Sequence, residues 1–167
     1  FDPVATARDT LRRGRTATLA TLDPATGYPL ATLVTVATDS DGSPLLLLSA
    51  LTLHTRNLQV DGRASLLVAT PGKGDPLAIL ASRSPGRIRR RFLARHPKAA
   101  LYCDFPDFAF WRFAVAGVHL NGGFARAAEV APDALLLDLA GADGLAAAEE
   151  GAVQHMNADH ADALALY

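Results

Sequence analysis

The sequence predicts an α+β fold: an antiparallel barrel or closed sheet with flanking helices and a small helical extension at the C-terminal end. Three observations carry this expectation. Four short segments of strand character are joined by tight polar turns, a long alternation of aromatic and small residues spans Phe108 to Asn121, and beyond about residue 131 alanine, leucine and acidic residues take over.

Taken in order, Val4 to Arg13 has helical spacing, with Val4, Ala7 and Leu11 on one side, and Gly14 ends it. Arg15 to Leu22 alternates threonine with alanine and leucine, as a half-buried strand does, and Asp23-Pro-Ala-Thr-Gly27 supplies a turn. Tyr28 to Thr38 and Ser43 to Ser49 are the next strands, separated by Asp39-Ser-Asp-Gly42. A short helical turn carrying Thr52, His54, Thr55, Arg56 and Asn57 leads to a fourth strand, Arg63 to Thr70. Strands joined this tightly pair antiparallel with their neighbours.

Pro71-Gly-Lys-Gly-Asp-Pro76 breaks the pattern, and Leu77 to Ala81 is apolar but short. Arg87 to Arg95 reads as a helix with Ile88, Phe92 and Leu93 inward and Arg87, Arg90, Arg91 and Arg95 outward, ending before Pro97. Phe108 to Asn121 is the long final strand. Pro132 to Leu139 and Leu145 to Leu166 read as helices, so residues 1–127 form the expected main domain and 128–167 the helical extension.

Composition narrows the functions. The 167 residues suffice for one ordinary domain and an appendage, and 16 Lys plus Arg against 17 Asp plus Glu give no overall attraction to nucleic acid or an anionic membrane. The arginines around residue 90 lack the aromatic residues on which bases stack, which argues further against nucleic acid. One cysteine, Cys103, fits a reducing compartment, and cytoplasm is the default expectation. No apolar run approaches the roughly 20 residues needed to span a bilayer. Phe1-Asp-Pro-Val lacks the basic start of a signal peptide, and both ends read as cut relative to a gene product.

The chemistry concentrates at the end of the third strand. There an apolar run stops at Ser49, and a helix start follows with Thr52, His54, Thr55 and Arg56. The first amides of a helix have no intrahelical partner and its dipole favours an anion, so an arginine and several hydroxyls beside such a start suit a phosphate. A guanidinium adds two parallel N–H groups.

The order of an N-terminal helix, Thr16-Ala-Thr-Leu-Ala-Thr-Leu-Asp-Pro, Gly27-Tyr-Pro-Leu-Ala, a strand ending in Leu48-Ser49, His54-Thr-Arg-Asn-Leu58 and Arg63-Ala-Ser-Leu-Leu-Val68 resembles the pyridoxamine 5′-phosphate oxidase-like flavin-binding split barrels. Gly122-Gly-Phe-Ala-Arg-Ala127, followed by helices bearing His155-Met-Asn-Ala-Asp-His160, resembles the branch that couples a split barrel to a small C-terminal domain and includes heme-utilisation proteins. The resemblance implies a homodimer with FMN sites at the subunit interface. Carried over by position, Ser49, Thr55 and Arg56, with His54 beside them, match the phosphate-binding turn, and Thr32, Leu33, Val34 and Thr35 match the strand beneath the flavin ring.

Two departures stand out. The family barrel has a further strand before the arginine-rich helix, where this chain offers Ile79-Leu-Ala-Ser-Arg-Ser84, and residues missing near 77–87 are the favoured explanation. The enzyme's own C-terminal signature for pyridoxal phosphate is absent, and Trp111-Arg112 is only a faint echo of it. The resemblance therefore implies an FMN-dependent oxidoreductase of unknown small-molecule substrate. The alternatives are a heme-binding or heme-degrading protein, or a non-catalytic binding module such as plant proteins that bind glutamyl-tRNA reductase.

Other candidates read more plainly. On an ideal helix His155 and Asp159 share a face while His160 lies about 140° away, so a shared metal ion is not expected and a structural role is. None of the five histidines stands out from sequence as an axial heme ligand. His119 reads as a strand histidine and His96 as a helix-end residue complementing the dipole. Cys103 and Trp111 read as packing residues, and the arginines of 83–95 as a solvated helix face.

Overall fold

A computed structural model describes residues 1–70, 73–83, 87–121 and 126–164, the side chains of 70, 73–83, 87, 146 and 164 excepted. Two compact units divide the chain, Phe1–Leu137 and Asp138–Tyr167.

In the first unit, α1 (Pro3–Arg13) is followed by β1 (Thr16–Leu22), β2 (Pro29–Thr38) and β3 (Pro44–Ser49), then α2 (Leu53–Val60), β4 (Arg63–Thr70) and β5 (Lys73–Arg83). Next come α3 (Arg87–Arg95), a 3₁₀ turn at Pro97–Leu101, β6 (Phe108–Asn121), β7 (Ala127–Val130) and α4 (Pro132–Leu135). The strands run β3-β2-β1-β4-β5-β6-β7, all antiparallel, and β3 pairs again with β6 to close the sheet. This is the expected split-barrel architecture.

The leucine run of β3 shows how the sequence builds it. All six of its residues are buried, because side chains alternate across a strand and both faces here are covered. Leu46 and Leu48 join Leu19, Val36, Leu66, Trp111 and Phe113 in the barrel core. Leu45 and Leu47 face the other way, onto Ile88 and Phe92 of α3 and onto Cys103. Cys103 and Trp111 are thus packing residues, as expected.

Three features differ from expectation. The strand sought near residue 80 is present: β5 pairs with β4 from Arg63↔Leu80 to Thr70↔Lys73 and with β6 from Leu77↔Val118 to Arg83↔Trp111. No missing segment is needed to complete the barrel. Pro76 hid the strand from a pattern reading, and it is tolerated because it lies just before the stretch bonded to β6. Gly14 ends α1 without a left-handed backbone, at φ −55°. It is glycine because a Cβ there would lie 2.5 Å from Cγ1 of Val68.

The arginines of α3 are more engaged than a solvated face. Arg95 donates to the last carbonyls of α1, Arg12 O at 3.1 Å and Arg13 O at 2.6 Å, and Arg91 Nε donates to Thr38 O at 3.1 Å. Arg89 holds Asp104 with two hydrogen bonds, at 3.2 and 2.6 Å. Finally, Ala127–Val130 extends the sheet beside Val118–Asn121, and the first compact unit runs through Leu137.

The second unit holds α5 (Asp143–Asp159) and α6 (Ala161–Leu164), with His160 breaking what reads in sequence as one long helix. Among the described residues no helix is long and apolar enough to cross a membrane.

Candidate functional site

The turn between β3 and α2 is held from below. Register places Ser49 opposite Phe108, so Asp107 lies at the adjoining strand end. Ala50 N donates to Asp107 O at 2.6 Å, Ser49 Oγ donates to Asp107 Oδ2 at 2.5 Å, and Leu51 N donates back to Ser49 Oγ at 3.1 Å. The Thr52 hydroxyl donates to Ser49 O at 2.8 Å, which leaves Thr55 to donate to Thr52 Oγ1 at 2.9 Å. Both hydroxyl protons expected for a phosphate, on Ser49 and Thr55, are therefore spent inside the turn. Ser49 and Thr55 are also buried.

Arg56 is exposed and lies back along the turn, with Nη2 3.3 Å from Leu51 O. Behind it, Asn57 Nδ2 donates to Thr21 Oγ1 at 3.1 Å, both residues being buried, and this bond seats α2 on β1. Among the described residues no side chain caps the start of α2, and its N-cap, Thr52, makes no such bond. As an anion cradle the turn thus offers Arg56 and backbone amides, with the Asp107 carboxylate close behind. That donor set is a partial fit to a near-dianionic phosphate.

His54, one residue into α2, is held by a specific contact. Its Nδ1 lies 3.1 Å from Thr32 Oγ1, and that hydroxyl lies 3.4 Å from Leu19 O. A carbonyl only accepts, so both contacts are met together when Thr32 donates to Leu19 O and His54 Nδ1–H donates to Thr32. Nε2 then carries the lone pair, and among the described residues it has no hydrogen-bond partner. Burial pushes the His54 pKa below its ordinary 6.5, which favours this neutral ring. A neutral imidazole with its Nδ1–H fixed and Nε2 open is a metal-ligating arrangement.

The expected strand residues divide between two faces. Thr32 and Val34 turn toward the core side, with Val34 buried, whereas Leu33 and Thr35 are exposed. Leu33 is 76% exposed and lines up across Thr18 with Leu67, at 40%, while Ala31 lines up across Ala20 with Ser65. This outer face of β2, β1 and β4 thus sets two exposed leucines among small residues, Thr18, Ala20, Ala31 and Ser65. The structure therefore brings His54 to Thr32 and Thr55 to Thr52, but it does not gather all eight expected residues around one point.

Asp107 was not foreseen. Its partnership with Ser49 depends on the β3–β6 register, for which the sequence between Pro106 and Phe108 carries no local signal. The remaining histidines are placed differently from His54. His96 Nε2 lies 2.8 Å from Val36 O with its ring against Phe92, and His119 is exposed on β6. Arg112, the faint echo of a substrate-binding arginine, is a strut: it pairs with Asp41, donates to Ser43 Oγ at 2.9 Å and lies 3.4 Å from Asp39 Oδ2.

The comparisons with known proteins agree with this architecture. A crystal structure of the protein Atu2129 from Agrobacterium tumefaciens, of unknown function, superposes with a TM-score of 0.85 at 38% identity, covering 95% of this chain and 70% of that one. A heme binding protein from Mycobacterium smegmatis superposes with a TM-score of 0.75 at 29% identity, covering 96% of this chain and 69% of the other. The non-canonical heme oxygenase HOZ, chloroplastic, of Arabidopsis thaliana is 32% identical over 148 residues, 80% of this chain, and the chain spans 45% of that relative's length. The sequence profile described as Pyridoxamine 5'-phosphate oxidase matches residues 4–161. The chain belongs to the pyridoxamine 5′-phosphate oxidase family.

Proposed function

We propose that this protein binds heme as a homodimer, with His54 as the axial ligand. The observation that carries the reading is the Leu19–Thr32–His54 chain of hydrogen bonds, which keeps a proton on Nδ1, while burial lowers the pKa of the ring and so favours an unprotonated Nε2. Leu53 on α2 and Leu51 before it are exposed apolar neighbours in sequence, suited to a porphyrin edge. The heme names of two relatives support the same cofactor. When bound, heme supplies iron-centred redox and dioxygen chemistry, set by its axial ligand and surroundings. The protein's part is to hold the imidazole in one tautomer, orient it through Thr32 and exclude water with apolar side chains.

The outer face of β2, β1 and β4 is the proposed dimer contact, since exposed Leu33 and Leu67 flank small residues that allow close approach. Sedimentation checks this directly: Leu33→Asp is expected to be monomeric where the unaltered chain is a dimer.

A second reading is favoured by the uncapped first turn of α2 beside Arg56: FMN held by its phosphate, in an oxidoreductase of unknown substrate. Titration with hemin separates the two. The proposed function predicts a saturating Soret band that His54→Ala shifts and weakens, with no comparable affinity for FMN. A spectrum identical in His54→Ala removes His54 from the role, and tight FMN binding without hemin binding favours the second reading.

A further inference from the structure

We propose that His155 and His160 of the second unit form a binding site for a divalent, imidazole-preferring metal ion such as Zn²⁺, built from residues other than those proposed for the cofactor. On one continuous helix these two side chains would point apart. Instead α5 ends at Asp159, and His160 takes φ −131° and ψ 29°, outside the helical region. The break brings His160 Nε2 to 3.2 Å from His155 Nε2, with the ring centroids 4.9 Å apart and the planes at 80°.

The separation is informative. Two nitrogens bound to one tetrahedral ion at about 2.0–2.1 Å lie roughly 3.3–3.4 Å apart, close to what the pair already adopts. Two axial ligands on opposite sides of a heme iron would be about 4 Å apart with the iron between them, which this pair does not match.

The orientation of His155 is fixed from behind. Its Nδ1 lies 2.7 Å from Asp159 Oδ2, so the proton sits on Nδ1 and Nε2 is free to present its lone pair toward His160. A carboxylate behind the ligating ring is the arrangement that holds metal-bound histidines and raises their basicity. In the metal-free pair one Nε2 must be a donor and the other an acceptor; ligation needs only the His160 proton to move to its Nδ1. Among the described residues no group of three or more His, Cys, Asp or Glu side chains converges on one ion. Water therefore completes the coordination, and the ion keeps open positions. Imidazole ligands suit zinc, copper and nickel, whereas magnesium and calcium prefer oxygen. The sequence string His155-Met-Asn-Ala-Asp-His160 supplies ligand, orienting carboxylate and ligand in one segment.

Zn²⁺ titrated into the whole cofactor-free chain tests the site, by calorimetry and by ¹⁵N imidazole resonances. One saturable ion is expected, with both Nε2 signals of His155 and His160 shifted. His155→Gln and His160→Gln are expected to abolish that event, Asp159→Asn to weaken it about tenfold, and the exposed control His119→Gln to leave it unchanged. These side chains are exposed, so far-UV circular dichroism should be unaltered. Absence of Zn²⁺ binding to the unaltered chain, or equal binding in the two histidine variants, would overturn the proposal.

Discussion

Ser49 Oγ and the Asp107 carboxylate are joined by a 2.5 Å hydrogen bond across the ends of β3 and β6. The bond does two things at once. It ties the entry of α2 to the long closing strand, and it sets a negative charge behind the position where the family resemblance expects a phosphate. At an effective dielectric near 20, a unit charge a few ångströms from an anion costs several kcal/mol, and solvent near the surface reduces that. Asp107→Asn keeps an acceptor for Ser49 and removes the charge. On the second reading, in which the turn holds the FMN phosphate, the affinity of this variant for FMN is expected to rise by roughly tenfold, equivalent to about 1.4 kcal/mol. Arg56→Ala should move it the opposite way by a similar factor, with riboflavin, which lacks the phosphate, indifferent to both. Fluorescence titration reads all four values, and an unchanged Asp107→Asn affinity would remove the carboxylate from the account.

The burial of His54 gives stability a pH dependence with a definite sign. Its pKa in the folded chain lies below the ordinary 6.5, so the unfolded chain takes up the proton first as the solution is acidified. The stabilising contribution is complete above 6.5 and is lost as pH falls from there through the folded value. Urea unfolding followed between pH 7.5 and 5 should show this loss, and His54→Gln should flatten the profile. A histidine resonance that titrates at or above 6.5 for His54 would contradict the neutral ring on which the axial assignment stands.

The fold was legible wherever pattern and turn chemistry agree. The alternation of β1, the four consecutive leucines of β3 and the inward Ile88 and Phe92 of α3 each report their burial directly. Legibility failed where long-range pairing decides the outcome. Lys73–Arg83 reads as too broken to be a strand, yet hydrogen bonds to β4 and β6 on its two sides override the local weakness of Gly74 and Pro76. At the site, Thr55 and Ser49 were picked by type and place, but which atoms their protons serve depends on Thr52 and Asp107. The choice among histidines likewise needed the Thr32 hydroxyl, which β2 brings to α2 from 22 residues away.

Close packing at the end of α1 makes a sharp prediction. A methyl group on Gly14 would stand 2.5 Å from Cγ1 of Val68, itself 1% exposed. Gly14→Ala should cost about 1–3 kcal/mol, as overpacked cores do. The effect is steric and not conformational, because φ at Gly14 is −55°. Val68→Ala in the same chain should therefore recover part of the loss. If chemical denaturation shows the two substitutions to be additive, the contact is not the cause.

The seat of α2 rests on another buried pair, Asn57 and Thr21, whose 3.1 Å hydrogen bond crosses from the helix to β1. Removing one partner leaves a buried polar group unmet, which costs about 1–3 kcal/mol, whereas removing both with similar shapes can be nearly neutral. Asn57→Leu and Thr21→Val should each destabilise the chain by that amount, and the double variant by less than their sum. His54 lies on the same short helix, so Asn57→Leu should also broaden the hemin spectrum by loosening the ring's support, while the isosteric Thr21→Val leaves the backbone of β1 paired as before. A double-mutant cycle with no coupling energy would mean that α2 is seated by Leu58 and the apolar core alone.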